Sequence, residues 1–121
     1  MVLEKIEGEF TVCRLADASY VDLEQEYCFA ARTDEEVSYV CRTAAAPKDA
    51  LKREDGWRVF RIQGELDFSM IGILARISSL LAKAEIGIFV VSTYRTDYVL
   101  VKREQYEKAL EVLARSGYTV I

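Results

Sequence analysis

The stretch IGIFVVSTYRTDYVLV (86–101) decides the fold, because it has the pattern of a β-hairpin with a polar, charged turn. Residues 86–94 are too β-branched to extend a helix and have Gly87 at their entry, which predicts a buried strand. Residues 97–101 are the predicted hairpin partner. A hairpin turn is easily made with glycine or asparagine. The hydroxyls, the arginine and the carboxylate of Asp97 therefore indicate a binding site as well as a turn.

Helices are predicted on both sides of this hairpin. Between Met70 and Ala84 the apolar residues recur at helical spacing, and Asp67 or Ser69 is expected to cap the exposed N–H groups of the first turn. The segment REQYEKALEVLARSG (103–117) shows the same periodicity and ends in a glycine stop. Both helices should therefore pack one apolar face on a sheet.

Two further strands complete the second half of the chain. WRVFRIQG (57–64) is rich in β-branched and aromatic residues, and YTVI (118–121) closes the sequence. The order from residue 57 onward is β-α-β-β-α-β. This is the split arrangement of a ferredoxin-like α+β fold.

The first half is predicted to be mostly β. Its three candidate strands are EFTVCRL (9–15), EYCFAART (26–33) and EVSYVCR (36–42). Pro47 is expected to begin a short helix over 47–54, and the segment 16–25 stands where a first crossover helix would lie. The prediction is a reduced, β-rich unit over 1–55 followed by a complete unit over 56–121. A β-meander appended to one ferredoxin-like unit is the alternative.

Composition limits the function further. The chain has 121 residues, 51% of them hydrophobic, which is enough for a core. Its net charge of −4 repels phosphate backbones and anionic lipid, so neither nucleic acid nor a membrane is an expected partner. The sequence has neither a signal-peptide pattern nor an apolar run long enough to span a bilayer. A cytoplasmic protein is expected.

Metal and histidine chemistry are not expected. The chain has no histidine, and Cys13, Cys28 and Cys41 are widely spaced with no CxxC pair. These cysteines are predicted to be reduced and mostly buried. Zinc ligation and histidine-based acid–base catalysis lack the residues they need. We therefore predict no cofactor, no metal and no catalytic residue.

The predicted geometry suits a small zwitterion. If strands 57–64 and 86–94 are parallel neighbours, the hairpin turn faces the start of the first helix. Free N–H groups at that helix end suit a carboxylate, whereas Asp67 or Asp97 suits an ammonium or guanidinium group. Phe68 or Tyr94 would supply apolar walls. The alternative is that the carboxylates only cap or end turns and the aromatic rings only pack.

The motifs LDFS (66–69), GI (87–88) and STYRTDY (92–98) resemble those of an ACT domain. The resemblance covers residues 57–121 and, in part, 9–42, and is strongest to small bacterial proteins with paired ACT-like units. That subgroup is related to cytosolic arginine sensors and to aspartate kinase regulatory regions. The resemblance implies a ligand site formed by Gly64, Leu66, Asp67, Phe68, Ser69, Ile88, Phe89, Thr93, Tyr94, Thr96 and Asp97.

Two classes of function remain open. The first is a non-catalytic regulatory module that binds a small amino acid or related metabolite between two ACT units, in one chain or in a homodimer. The second is a dimerisation or interaction module without a ligand, because ferredoxin-like sheets leave an edge and a face exposed. An enzyme ranks lower, because no nucleophile motif, phosphate loop or metal cluster accompanies Asp67 and Asp97.

Overall fold

A computed structural model describes residues 1–121, which divide into two compact units. The larger unit consists of Met1–Glu7 and Arg58–Ile121, and the smaller unit of Gly8–Trp57. The predicted boundary at residue 55 lies close to this division. Residues 1–7 differ from the prediction, since they belong to the larger unit.

The helices and strands follow one another in an order that confirms most of the sequence predictions. In chain order they are β1 (Val2–Leu15), β2 (Phe29–Arg32), β3 (Val37–Arg42), β4 (Lys52–Ile62), α1 (Ile73–Lys83), β5 (Phe89–Ser92), β6 (Asp97–Lys102), α2 (Arg103–Arg115) and β7 (Thr119–Val120). From β4 onward the order is β-α-β-β-α-β, as predicted. Neither helix is long and apolar enough to cross a membrane.

The sheet of the larger unit has the order β7-β1-β4-β6-β5. The first residues of β1 lie beside the end of β4, where the Gln63 N–H donates to the Val2 carbonyl at 2.9 Å. Strand β7 then pairs with β1 in parallel, through Val2 and Leu3. Residues 1–7 are therefore an integral part of this unit, because they lie between β4 and the edge strand β7.

One sequence expectation about this sheet is wrong. The strands predicted at 57–64 and 86–94 are not neighbours, because β6 lies between β4 and β5. Strands β5 and β6 form the predicted antiparallel hairpin, in which Ser92 pairs with Asp97. In the split arrangement, the second strand of the hairpin lies between the two strands that the first helix connects, and that pairing depends on the whole fold rather than on local sequence.

The core of the larger unit lies between this sheet and the two helices. Its buried side chains are Leu3, Phe60, Ile62, Ile77, Leu81, Ile86, Val99, Val101, Tyr106, Ala109, Leu110, Leu113 and Tyr118. The Tyr106 hydroxyl donates to the Val59 carbonyl at 2.6 Å, so its polar atom is satisfied inside this core. Burial raises the pKa of Tyr106 to about 12.

Helix α1 begins later than predicted. Its N-cap is Gly72, whose φ of 80° lies in the left-handed region that favours glycine, and no side chain caps the helix. Asp67 instead accepts hydrogen bonds from the Ser69 backbone and hydroxyl, so it stabilises its own turn. The prediction that Asp67 or Ser69 caps α1 is therefore wrong.

The smaller unit has the strand order β2-β3-β1-β4. The helix predicted from Pro47 is absent: residues 47–50 form a turn, and β4 follows at Lys52. The Leu51 N–H donates to the Arg14 carbonyl at 2.8 Å, so pairing with β1 overrides the local helix signal. A 3-10 helix at Ala18–Tyr20 stands where the first crossover was expected.

The three cysteines lie in the smaller unit as free thiols. Cys13 and Cys41 are buried in a small core with Leu15 and Tyr39, and Cys28 is partly buried. Burial raises the pKa of the Cys41 thiol to about 12, so it remains protonated at neutral pH. The prediction of mostly buried cysteines is confirmed.

Candidate ligand-binding site

One cavity in the larger unit brings the predicted loop and hairpin together. It has a volume of about 300 Å³ and lies between the β4–α1 loop, the first turn of α1 and the β5–β6 turn. Its walls are Leu66, Asp67, Phe68, Met70, Gly72, Ile73, Leu74, Ala75, Ser92, Thr93, Tyr94, Thr96 and Asp97. Small-molecule pockets start at roughly 300 Å³. The cavity therefore suits a molecule the size of an amino acid better than a dinucleotide.

Two hydrogen bonds attach the tip of the hairpin to the end of β4 and to the loop that follows it. The Leu66 N–H donates to the Arg95 carbonyl at 2.8 Å, and the Thr96 hydroxyl donates to the Ile62 carbonyl at 2.7 Å. Thr96 is buried, with 4% of its surface exposed. The second bond is thus shielded from water and fixes the hairpin tip opposite the loop, although β4 and β5 are not neighbours.

The hairpin turn is also closed from within. The Thr93 N–H and the Thr93 hydroxyl both donate to the Thr96 carbonyl, at 2.9 and 3.0 Å. Asp97 follows directly as the first residue of β6, opposite Ser92. The carboxylate of Asp97 is therefore carried by a well-defined strand end at the cavity wall.

Asp67 provides a second carboxylate on the opposite wall. Its Oδ1 accepts from the Ser69 N–H at 2.8 Å and from the Ser69 hydroxyl at 2.9 Å. These hydrogen bonds, the backbone bond first, hold the pKa of Asp67 below its usual range. Asp67 is therefore ionised at neutral pH, and its second oxygen has no partner in this turn.

The first turn of α1 contributes hydrogen-bond donors. The helical bonding begins with the Arg76 N–H, which donates to the Gly72 carbonyl at 3.0 Å. Residues 73–75 line the cavity, and their N–H groups precede that bond and have no partner within the helix. They carry the positive end of the helix dipole, which favours an anion at this wall.

Two aromatic rings form the rim. Phe68 and Tyr94 meet edge to face, with ring centroids 5.0 Å apart and planes at 89°. Phe68 is 74% exposed and Tyr94 is 77% exposed. Met70 and Ile71 on the same loop are exposed as well. The mouth of the cavity is therefore surrounded by apolar surface in contact with water.

The structure places the predicted site residues in two groups. The residues that line the cavity are Leu66, Asp67, Phe68, Thr93, Tyr94, Thr96 and Asp97. Gly64, Ser69, Ile88 and Phe89 lie outside it. Gly64 has a φ of 94° and forms the bend after β4, Ser69 holds Asp67, and Ile88 packs on the core.

Sequence reasoning missed several wall residues. These are Met70, Gly72, Ile73, Leu74, Ala75 and Ser92. The predicted helix began at Met70, which put this segment inside a helix rather than at its mouth. Gly72 was the available signal, because a glycine near the start of a helical pattern can mark the boundary.

Comparison with known proteins identifies the family. The ACT domain profile matches residues 52–115, which is more than half of the chain. The chain therefore belongs to the ACT domain family, and the resemblance carried by its motifs is confirmed.

The relatives that match include regulatory proteins. The human cytosolic arginine sensor for mTORC1 subunit 1 is 40% identical over 60 residues, which cover 49% of this chain and 18% of the sensor. Protein Atu0741 from Agrobacterium tumefaciens has a TM-score of 0.87 and 33% identity over 98% of this chain and 90% of its own. The regulatory subunit of aspartate kinase from Thermus thermophilus shares the fold, with a TM-score of 0.65 and 9% identity over 97% and 98% of the two chains.

Proposed function

We propose that this chain is a non-catalytic regulatory module that binds a small amino acid or related metabolite in the 300 Å³ cavity. The observation that carries the proposal is the cavity itself, which has Asp67 and Asp97 on two walls and the first turn of α1, whose N–H groups have no partner within the helix, on a third. The names of the relatives, an arginine sensor and a kinase regulatory subunit, favour the same class. We also propose that this chain acts in the cytosol, because the arginine sensor that it resembles is named as cytosolic.

The charges at the cavity complement both ends of an amino acid. The N–H groups of residues 73–75 would receive the ligand carboxylate, since helix N-termini bind anions. Asp97, or Asp67 through its second oxygen, would receive the ammonium or a side-chain cation. An apolar ligand surface would pack on Phe68 and Tyr94. No bond need be made or broken, so the site needs no nucleophile.

We propose further that an ACT unit of a second copy of the chain covers the mouth of the cavity. The apolar rim of Phe68, Met70, Ile71 and Tyr94 supports this arrangement, because contiguous exposed apolar surface usually marks an interaction site. A ligand held between two copies would favour one arrangement of them over another, which is how a binding site regulates without chemistry.

The same rim supports the alternative of dimerisation without a ligand. Native mass spectrometry of freshly purified protein distinguishes the two, because it reports both the number of copies and any retained small molecule. A dimer that stays free of ligand when amino acids are added would favour the alternative. A dimer carrying an amino-acid mass would favour the regulatory site.

Asp97→Ala tests the binding proposal. We expect isothermal titration calorimetry against the twenty amino acids to find at least one ligand, and the substitution to weaken it by about 10- to 150-fold. This range corresponds to a charge-assisted hydrogen bond of about 1.5–3 kcal/mol. The rise in melting temperature at a fixed concentration of that ligand should become smaller as well.

Asp34→Ala is the matched control, because Asp34 lies in the equivalent hairpin turn of the smaller unit and does not line the cavity. It should bind the ligand as the unmodified protein does. Absence of heat with every amino acid at millimolar concentration would contradict the proposal, as would equal affinity of the Asp97→Ala variant.

A further inference from the structure

The hairpin of the smaller unit repeats the geometry of the hairpin at the candidate site. In one, Phe29 pairs with Val40 and Arg32 with Val37. In the other, Phe89 pairs with Leu100 and Ser92 with Asp97. Both turns are closed by the same bond, from the Thr33 N–H to the Glu36 carbonyl and from the Thr93 N–H to the Thr96 carbonyl, each at 2.9 Å.

The turn opposite each hairpin is also repeated. After β1, the Asp17 Oδ1 accepts from the Ser19 N–H at 2.8 Å and from the Ser19 hydroxyl. After β4, Asp67 accepts the same two bonds from Ser69. Hydrogen bonds from serine, the side-chain bond first, lower the pKa of Asp17 as well. A strand, an Asp-x-Ser turn and a hairpin thus recur in both units.

A second cavity occupies the corresponding place in the smaller unit. It has a volume of about 460 Å³ and lies between the segment after the Asp17 turn and the β2–β3 hairpin. Its apolar walls are Ala18, Val21, Leu23, Ala30, Ala31 and Val37. The long helix α1 forms one wall of the first cavity, whereas only the short 3-10 helix Ala18–Tyr20 stands at the corresponding place here. The volume of the second cavity is correspondingly larger.

The charge of the second cavity is opposite to that of the first. The last pair of the hairpin is Ser92 and Asp97 in the larger unit, but Arg32 and Val37 in the smaller. Arg32 is the one charged residue in the wall, and its guanidinium forms no ion pair in the structure. A guanidinium beside an apolar wall binds a carboxylate with two parallel hydrogen bonds.

We propose that this second cavity binds a short aliphatic carboxylate, with the carboxylate on Arg32 and the aliphatic chain against Leu23, Val21 and Ala30, which shares the strand face of Arg32. The class follows from the walls: six apolar residues offer no partner for an ammonium group, and the single cation selects an anion. The site is separate from the cavity that contains Asp97, and its ligand differs in charge.

Titration with 4-methylpentanoate, followed by amide chemical shifts in nuclear magnetic resonance, tests the proposal. Saturable shifts are expected at Ala30, Ala31 and Val37, whereas 4-methylpentylamine, with the same chain and the opposite charge, should produce none. Arg32→Gln should weaken binding by about 2- to 5-fold, because an exposed ion pair contributes modestly. Arg14→Gln, an exposed arginine of the same unit outside the cavity, should leave it unchanged.

A second variant tests the contribution of the apolar wall while the charge of Arg32 is kept. Ala30→Leu keeps Arg32 but fills the apolar wall on the same strand face at an exposed position, so it should abolish the shifts without unfolding the unit. Asp97→Ala should have no effect on them. Equal shifts with the amine, shifts confined to the cavity at Asp97, or no saturable shift with 4-methylpentanoate at tens of millimolar would each overturn the proposal.

Discussion

Replacing Ile77 with alanine is expected to lower the free energy of unfolding by about 2–5 kcal/mol. Ile77 lies on the inner face of α1 with none of its surface exposed, in the core between the sheet and the two helices. The substitution removes three carbons from a packed site and leaves a void that the surrounding side chains fill only in part. Urea denaturation followed by circular dichroism measures the loss.

Two further variants serve as comparisons for the loss of stability in Ile77→Ala. Ile77→Val removes one methylene and should cost about 0.5–1.5 kcal/mol. Ser79→Ala, at an exposed position of the same helix, should change the free energy by no more than about 0.5 kcal/mol. If Ile77→Ala and Ser79→Ala had equal effects, the packing of α1 on the sheet would be refuted.

Replacing Thr96 with valine is expected to cost about 1–3 kcal/mol and to weaken ligand binding at the cavity as well. Valine keeps the shape of the side chain but removes the hydroxyl that donates to the Ile62 carbonyl at 2.7 Å. That carbonyl then loses a partner in a place that water does not reach. The hairpin tip that carries Asp97 also loses one of its attachments to β4.

The control for this substitution is Thr119→Val on β7, where the threonine is exposed and far along the chain from the hairpin. It should leave stability within about 0.5 kcal/mol of the unmodified protein. Calorimetry of both variants with a ligand identified in the amino-acid panel checks binding. Unchanged stability and affinity in Thr96→Val would show that the buried bond does not position the hairpin.

Features encoded in short stretches of sequence were predicted well. Apolar periodicity identified both helices, and the β-branched run before the polar turn identified the hairpin of β5 and β6. Gly117, with a φ of 103°, ends α2 as its position predicted. Each of these features depends on residues within a few positions of one another, so local sequence is sufficient.

The errors occurred where distant segments compete for the same residues. Pro47 carries a local helix signal, yet β4 begins at Lys52 because the neighbouring Leu51 pairs with Arg14. Asp67 has the chemistry of a helix cap, but it stabilises its own turn and α1 starts only after Gly72. In both cases a local preference of about 1 kcal/mol is outweighed by long-range pairing or by the path of the loop.

The sequence by itself determined the ferredoxin-like order of helices and strands and the ACT family, and it predicted seven of the residues that line the candidate site. The tertiary structure decided that β6 lies between β4 and β5, that residues 1–7 join the larger unit, and which side chains face one cavity. The physical reason is that side-chain periodicity is a property of neighbouring residues. Strand order and cavity walls, in contrast, depend on hydrogen bonds and packing between residues far apart in the chain.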